Sequence, residues 1–259
     1  MLEKYDIIIQ AGQSNAEGSG IGPVFQENFY VPCSNIVYLT AETMVEVENG
    51  KVLVKYPNTN FQIKIAEERT DGEKTWGDFA LSFAKQYIDN GLCEAGRKLL
   101  IVRCGVGGTS FAQNHWGMQD VCYLKMLEMV DYALRLNASN RIVAFLWHQG
   151  ESDVINHSNP KDYFHNLSTL LNSVRERYGK IPFIAGDFVH DWRNKNLTIC
   201  EPIIQEICRV VNINDLCAFV ETDGLFSNNE KVNNGDDIHF CRDSLYWLGR
   251  RYYKAFSEL

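Results

Sequence analysis

The apolar positions of this chain fall into two alternating patterns. Tyr5-Asp6-Ile7-Ile8-Ile9 is a short, continuous, β-branched run, the signature of a strand covered on both sides. Similar runs occur at Asn35 to Leu39, Lys98 to Val102, Arg141 to Trp147 and Pro182 to Gly186, with a shorter one at Cys217 to Glu221. Between them the apolar spacing turns helical. Phe79 to Ile88 follows Asp78, a good N-cap, and stops at Asn90-Gly91. Val121 to Leu136 is helical, with Leu124, Leu127, Val130 and Leu134 along one side. Asn159-Pro160 opens a helix whose apolar face is Phe164, Leu167, Leu170, Leu171 and Val174. Ile199 to Ile213 and Ser244 to Phe256 complete the set.

Strands that alternate with helices predict an α/β protein. A mainly parallel, five-stranded sheet would be covered on both faces, with functional loops at the carboxyl ends of its strands. No linker or internal repeat breaks the chain, so one domain over 1–259 is expected. Met44 to Lys55 alternates around Asn49-Gly50, a hairpin signal, and reads as an excursion from the main sheet. Ile21 to Pro32, rich in Gly, Pro and aromatics, reads as a loop near the site.

Composition narrows the partners. The net charge of −8 disfavours nucleic acid and anionic membranes. Eight cysteines include no C-x-x-C pair and mostly sit in apolar surroundings, which suits buried free thiols in a reducing compartment. The N-terminal residues lack a signal-peptide layout and no apolar run reaches transmembrane length, so a cytoplasmic location is expected.

The chemistry gathers where strands end. The first strand ends in Gly12-Gln13-Ser14-Asn15, the third in Gly105-Val106-Gly107-Gly108-Thr109-Ser110, and the fourth in His148-Gln149-Gly150-Glu151-Ser152-Asp153. A late polar loop adds Asp236-Asp237-Ile238-His239-Phe240. These are the parts of acyl transfer. Ser14 is a candidate nucleophile and His239 a candidate base. A carboxylate must orient the base, and N–H donors must meet an oxyanion, from the glycine turn or the Gln149 amide. Taken singly, each residue has a plainer role: a serine N-cap, a loop histidine, glycines of a tight turn. His148, Asp153 and His157 could be drawn as a metal cluster but lack a ligand pattern. Trp76, Trp116, Trp147 and Trp192 could stack on a sugar ring, and of these Trp147 suits the core. Trp116 and Trp192 are open as sugar-stacking residues, and Asp187 and Asp191 read as loop carboxylates. A phosphate loop over Gly12 to Gly18 would need a lysine that is absent.

Taken together, the four segments resemble the SGNH/GDSL hydrolase superfamily, within it the branch of carbohydrate esterase family six and the sialate O-acetylesterase-like (SASA) proteins. They occur in the expected order over positions 12 to 240. The resemblance implies a three-layer α/β/α sandwich and a serine esterase that removes O-acetyl groups from a carbohydrate, of acetylxylan or sialic-acid type, without a metal or other cofactor. It implies Ser14 as nucleophile, His239 as base, and the Ser14 N–H, the Gly108 N–H and the Gln149 side chain as oxyanion donors. Two carboxylates compete to be the acid. Asp236, three residues before His239, is expected to orient it, with Glu151 supporting; Asp237 is expected to point elsewhere. Asn15 could position the turn, cap the next helix or line the substrate. The alternative is a carbohydrate-binding protein on the same fold without catalysis.

Overall fold

The computed structural model describes residues 3–22, 33–67, 69–71 and 74–259. The loop expected over Ile21 to Pro32 lies, from 23 onward, outside the described residues. The chain opens with β1 (Lys4–Gly12), α1 (Ser14–Glu17), β2 (Gly20–Ile21) and β3 (Ile36–Ala41). It continues through β4 (Met44–Glu48), β5 (Lys51–Lys55), β6 (Phe61–Ile65), β7 (Arg69–Asp71) and β8 (Lys74–Gly77). Then come α2 (Phe79–Asp89), β9 (Arg97–Arg103), α3 (Val121–Arg135), β10 (Arg141–His148), α4 (Glu151–Ile155) and α5 (Pro160–Tyr178). It closes with β11 (Phe183–Gly186), α6 (His190–Lys195), α7 (Leu197–Ile213), β12 (Cys217–Val220), α8 (Asn228–Val232) and α9 (Arg242–Ser257).

The main sheet has seven strands in the order β12-β11-β10-β1-β9-β3-β6, not the five expected. Cys217–Val220 adds a parallel edge, and Phe61–Ile65 pairs antiparallel on β3. The second was missed because it is an outer strand with exposed, alternating Gln and Lys, a pattern without a buried run. β1 lies at the centre. The chain leaves it for β3, returns through β9 beside it, then crosses to β10 on its other side. A crevice at the strands' carboxyl ends is expected at such a reversal.

The sheet divides two cores. Ile7, Ile9, Val102, Phe145 and Trp147 face one side, with buried residues of α3, α5 and α7. Ile8, Ile101, Ala144 and Leu146 face the other, with residues of α2 and α9. Alternate side chains enter opposite cores, so the run Ile7 to Ile9 shows no polar alternation. Asp78 and Asn159 cap α2 and α5 as expected. The expected face of α3 is corrected: Leu124 is exposed, and Cys122, Tyr123, Met126, Met129, Val130 and Ala133 are buried.

The 44–55 hairpin forms its own two-stranded ribbon, Glu48 paired with Lys51. Asn49 and Gly50 take φ of 51° and 76°, the conformation a two-residue hairpin turn requires. All eight cysteines are free thiols, four buried and four partly buried. Among the described residues no helix is long and apolar enough to cross a membrane.

Candidate active site

Ser14 is the first residue of α1, directly after β1 reaches its carboxyl end. Gly12 permits this exit. A Cβ there would lie 2.0 Å from the carbonyl oxygen of His148 on β10, so only glycine allows the two backbones to pass. Gln13 then locks the turn. Its N–H donates to His148 O at 3.0 Å, and its Oε1 accepts from Ser152 N at 2.9 Å. The start of α4 is thereby tied to Ser14's backbone.

The hydroxyl of Ser14 meets His239, which arrives from the loop between α8 and α9, with 2.8 Å between Oγ and Nε2. On the ring's other side Nδ1 lies 2.8 and 2.9 Å from Oδ1 and Oδ2 of Asp236. A proton on Nδ1 satisfies the carboxylate and leaves Nε2 to accept from the serine. Asp236 is held in turn by Asn228, whose Nδ2 donates to Oδ2 at 2.8 Å. Ser227 and Glu230 form a capping box that starts α8 and so places Asn228. Burial raises the Asp236 pKa, but hydrogen bonds from His239 and Asn228 outweigh it and hold the carboxyl below the usual carboxylate range. Asp237 turns away, to Lys195 Nζ at 3.0 Å.

The glycine turn after β9 lies against Ser14: a Cβ on Gly107 would be 3.6 Å from that of Ser14. Glu17 pins the turn by accepting from Gly107 N at 2.9 Å. Gly108 has φ of 76°, a region that favours glycine. Among the described residues, neither the Ser14 N–H nor the Gly108 N–H has an acceptor in the protein.

Gln149, expected as the third donor, is buried with its amide engaged elsewhere. Nε2 donates to Asp153 Oδ2 at 2.5 Å and to Thr109 O at 3.3 Å, and Oε1 accepts from the Tyr163 hydroxyl at 3.1 Å. Gln149 thus braces the wall behind the site. Gln149→Ala should remove the charge-assisted hydrogen bond to Asp153, which keeps Phe111 N, and the one from Tyr163, whose hydroxyl keeps the backbone carbonyl of residue 149, at about 1–3 kcal/mol. The thermal midpoint should fall by about 2–4 °C per kcal/mol in a protein of this size. An unchanged midpoint with a kcat loss of about 10²–10³ would instead return Gln149 to the oxyanion role.

Glu151 and Asn15 are buried beneath the relay. Asn15 Nδ2 donates to Glu151 Oε1 at 2.7 Å and to Ile238 O at 3.1 Å, and Asn15 Oδ1 accepts from Phe240 N at 3.1 Å. Asn15 therefore grips the backbone on both sides of His239 and, being fully buried, does not line a substrate surface. The hydrogen bond of Glu151 runs to Asn15, and its Oε1 lies 3.5 Å from His148 Nε2. Burial raises the Glu151 pKa, yet His148 and Asn15 bring it below its ordinary value.

Trp116 is also buried, donating to Thr109 Oγ1 at 2.9 Å and packed edge-on to Trp147; it is a core residue, not a sugar platform. Trp192 is half-buried and packs edge-on to Phe188. The side chain of Trp76 lies outside the described residues. His148, Asp153 and His157 do not converge. The His148 ring bonds the Tyr252 hydroxyl, while Asp153 accepts from the N–H groups of Phe111 and Ala112. Burial pushes Asp153 up and Asp187 up to about 6. Asp187 pairs with Arg193 and Asp191 with Lys195. Gln13, Glu17 and Asn228 were not foreseen. Glutamine and asparagine at turns are common, and only the register of loops far apart in sequence gives them partners.

No curated protein matches the chain in sequence. Among solved structures it is similar to NanS, at 18% identity and a TM-score of 0.77, over 99% of this chain and 97% of that one. It is similar to a protein of Arabidopsis thaliana at 18% identity and a TM-score of 0.69, over 98% of each chain. It also resembles XAC1771, a carbohydrate acetylesterase from Xanthomonas citri, at 17% identity and a TM-score of 0.62, over 96% of this chain and 55% of that one. At these identities the likeness establishes the fold. The family is established by a family model described as carbohydrate esterase, sialic acid-specific acetylesterase, which matches residues 4–258. By that match over almost its whole length, the chain belongs to the SASA family of carbohydrate esterases.

Proposed function

We propose that this carbohydrate esterase removes O-acetyl groups from a sialic-acid-type sugar through an acetyl-Ser14 intermediate. The carrying observation is the unbroken relay from Ser14 Oγ through His239 to Asp236, beside two N–H groups that have no acceptor among the described residues. In the first half, Ser14 attacks the ester carbonyl while His239 Nε2 takes its proton. The oxyanion meets the N–H groups of Ser14 and Gly108. The imidazolium, stabilised by Asp236, then returns the proton to the departing sugar oxygen. In the second half, His239 deprotonates a water that attacks the acetyl-enzyme, and acetate leaves as Ser14 is reprotonated.

The family's description, sialic acid-specific acetylesterase, supports this choice of sugar. Acetate release from O-acetyl sialic acids and from acetylated xylo-oligosaccharides tests it. Release from the sialic acids at a kcat/KM at least tenfold higher supports the reading; the reverse order transfers it to the xylan type.

The mechanism fixes the pH profile. Only a neutral imidazole accepts the serine proton, so kcat/KM should rise with pH from the acid side as the base loses its proton. Asp236 does not produce that rise. Its folded pKa is depressed, so its stabilisation is complete above the unfolded value of about 3.9 and is lost only as pH falls through the lower folded value. A kcat/KM with no acid limb would exclude His239 as the base.

A further inference from the structure

The β4–β5 ribbon has no part in the relay, yet it stands against the oxyanion turn. Cross-strand pairing joins Val45 to Val54 and Val47 to Val52, and alternation puts all four valines on one face. The opposite face carries Met44, Glu46, Glu48, Lys51, Leu53 and Lys55. Val54 packs on the main core. Val52 reaches the site: its Cγ2 lies 3.1 Å from where a Cβ on Gly108 would be. Val45 lines a cavity of about 240 Å³ with Glu17, Thr40, Thr43, Gly105 and Val106. Two of these valines remain open to solvent, Val45 at 47% and Val47 at 71%.

The ribbon is held by its backbone. Val52 N donates to Gln113 Oε1 at 2.8 Å, and Gln113 Nε2 donates to Gly50 O at 3.3 Å. Ser110 N donates to His115 Nδ1 at 3.0 Å, so the ring carries its N–H on Nε2, which donates to Val52 O at 2.9 Å. Gln113 and His115 follow the glycine turn closely in sequence. The same segment thus anchors the ribbon beside the two N–H groups and leaves the side chains of Val45 and Val47 open to solvent.

We infer that Val52, Val47 and Val45 form an apolar, open-ended wall for the acyl group, so that the enzyme accepts straight-chain acyl esters longer than acetyl. The inference rests on the serine-esterase reading above. In the tetrahedral intermediate the acyl carbon carries the Ser14 oxygen, the oxyanion, the leaving oxygen and the alkyl group. The oxyanion points to the N–H groups of Ser14 and Gly108, and the leaving oxygen points to His239. The alkyl group takes the remaining direction, past Gly108 and along Val52. A pocket built for acetyl alone would end in a side chain at that point; here the wall continues to exposed valines. A methylene fully desolvated on such a wall is worth about 0.8 kcal/mol, or roughly fourfold in kcat/KM.

The test is kcat/KM for p-nitrophenyl acetate, butyrate and hexanoate, with Ser14→Ala as the blank. In the wild type, hexanoate should remain within about tenfold of acetate. The paired substitution Val45→Asp, Val47→Asp should lower the hexanoate-to-acetate ratio at least tenfold, and Val47→Ser, at the most exposed position, should lower it severalfold. A p-nitrophenyl hexylphosphonate should label Ser14 of the wild type faster, relative to the methylphosphonate, than Ser14 of the Asp pair, as read by intact mass. An acetate-only wild type, or ratios that do not move in either variant, would overturn the wall while leaving the Ser14 mechanism standing. Ester hydrolysis that survives Ser14→Ala would instead bring down the serine reading, and the wall with it.

Discussion

Ser14→Ala should abolish acetyl-ester hydrolysis while leaving the protein folded. The expected loss in kcat is on the order of 10⁶, as for removal of the nucleophile from other serine hydrolases. The reason is local. The Ser14 hydroxyl is bonded to His239 at 2.8 Å, and no other hydroxyl is bonded to that ring nitrogen among the described residues. The fold should tolerate the change, because α1 is held through Gln13, Glu17 and Asn15 rather than through this hydroxyl. A thermal midpoint within a few degrees of wild type, with no turnover and no covalent labelling by an acyl phosphonate, is the expected result. Turnover in a preparation free of contaminating esterase would refute the covalent mechanism. A wild type that binds acetylated sugars but neither turns them over nor is labelled would favour a binding protein on this fold.

Asp236→Asn should cost about 10⁴ in kcat, the typical effect of removing a triad carboxylate's charge. Asparagine can keep one contact to Nδ1 but presents either an oxygen without charge or an N–H, which favours the wrong tautomer. The comparison is with Glu151→Gln. Among the described residues Glu151 is linked to His239 through Asn15, which brackets the histidine by bonds to Ile238 O and Phe240 N. Its replacement leaves Asp236 in place, so kcat should fall far less. Because Glu151 is fully buried between Asn15 and His148, the thermal midpoint should fall more than in Asp236→Asn, whose side chain is partly exposed. Measuring kcat and the midpoint of both variants decides the matter. A larger rate loss in a folded Glu151→Gln protein would make Glu151 the acid.

The central strands, the capped helices and the hairpin were legible in the sequence because each rests on a local rule. The run Ile7 to Ile9 reads as a strand buried on both faces, and Asp78, Asn159 and Asn49-Gly50 mark boundaries by bonds or dihedral angles within a few residues. The resemblance carried by four ordered segments likewise named Ser14 and His239, the three-residue spacing to His239 favoured Asp236 over Glu151, and Ser14, His239 and Asp236 meet. Elements without a local signal were missed. α1 and α4 span four and five residues, too short for a helical period, and β6 is an edge with little buried. Side-chain direction was decided only by tertiary structure. Leu124 points outward although its spacing fits a buried stripe, since where the sheet meets α3, not the period, selects the face. Gln149 sits in the motif of an oxyanion donor, yet the buried carboxylate of Asp153 captures its amide. Trp116 is drawn into the core by Thr109 and Trp147. A buried polar or aromatic group takes the partner that the assembled fold brings within reach, and those partners come from strand ends and loops far apart in sequence.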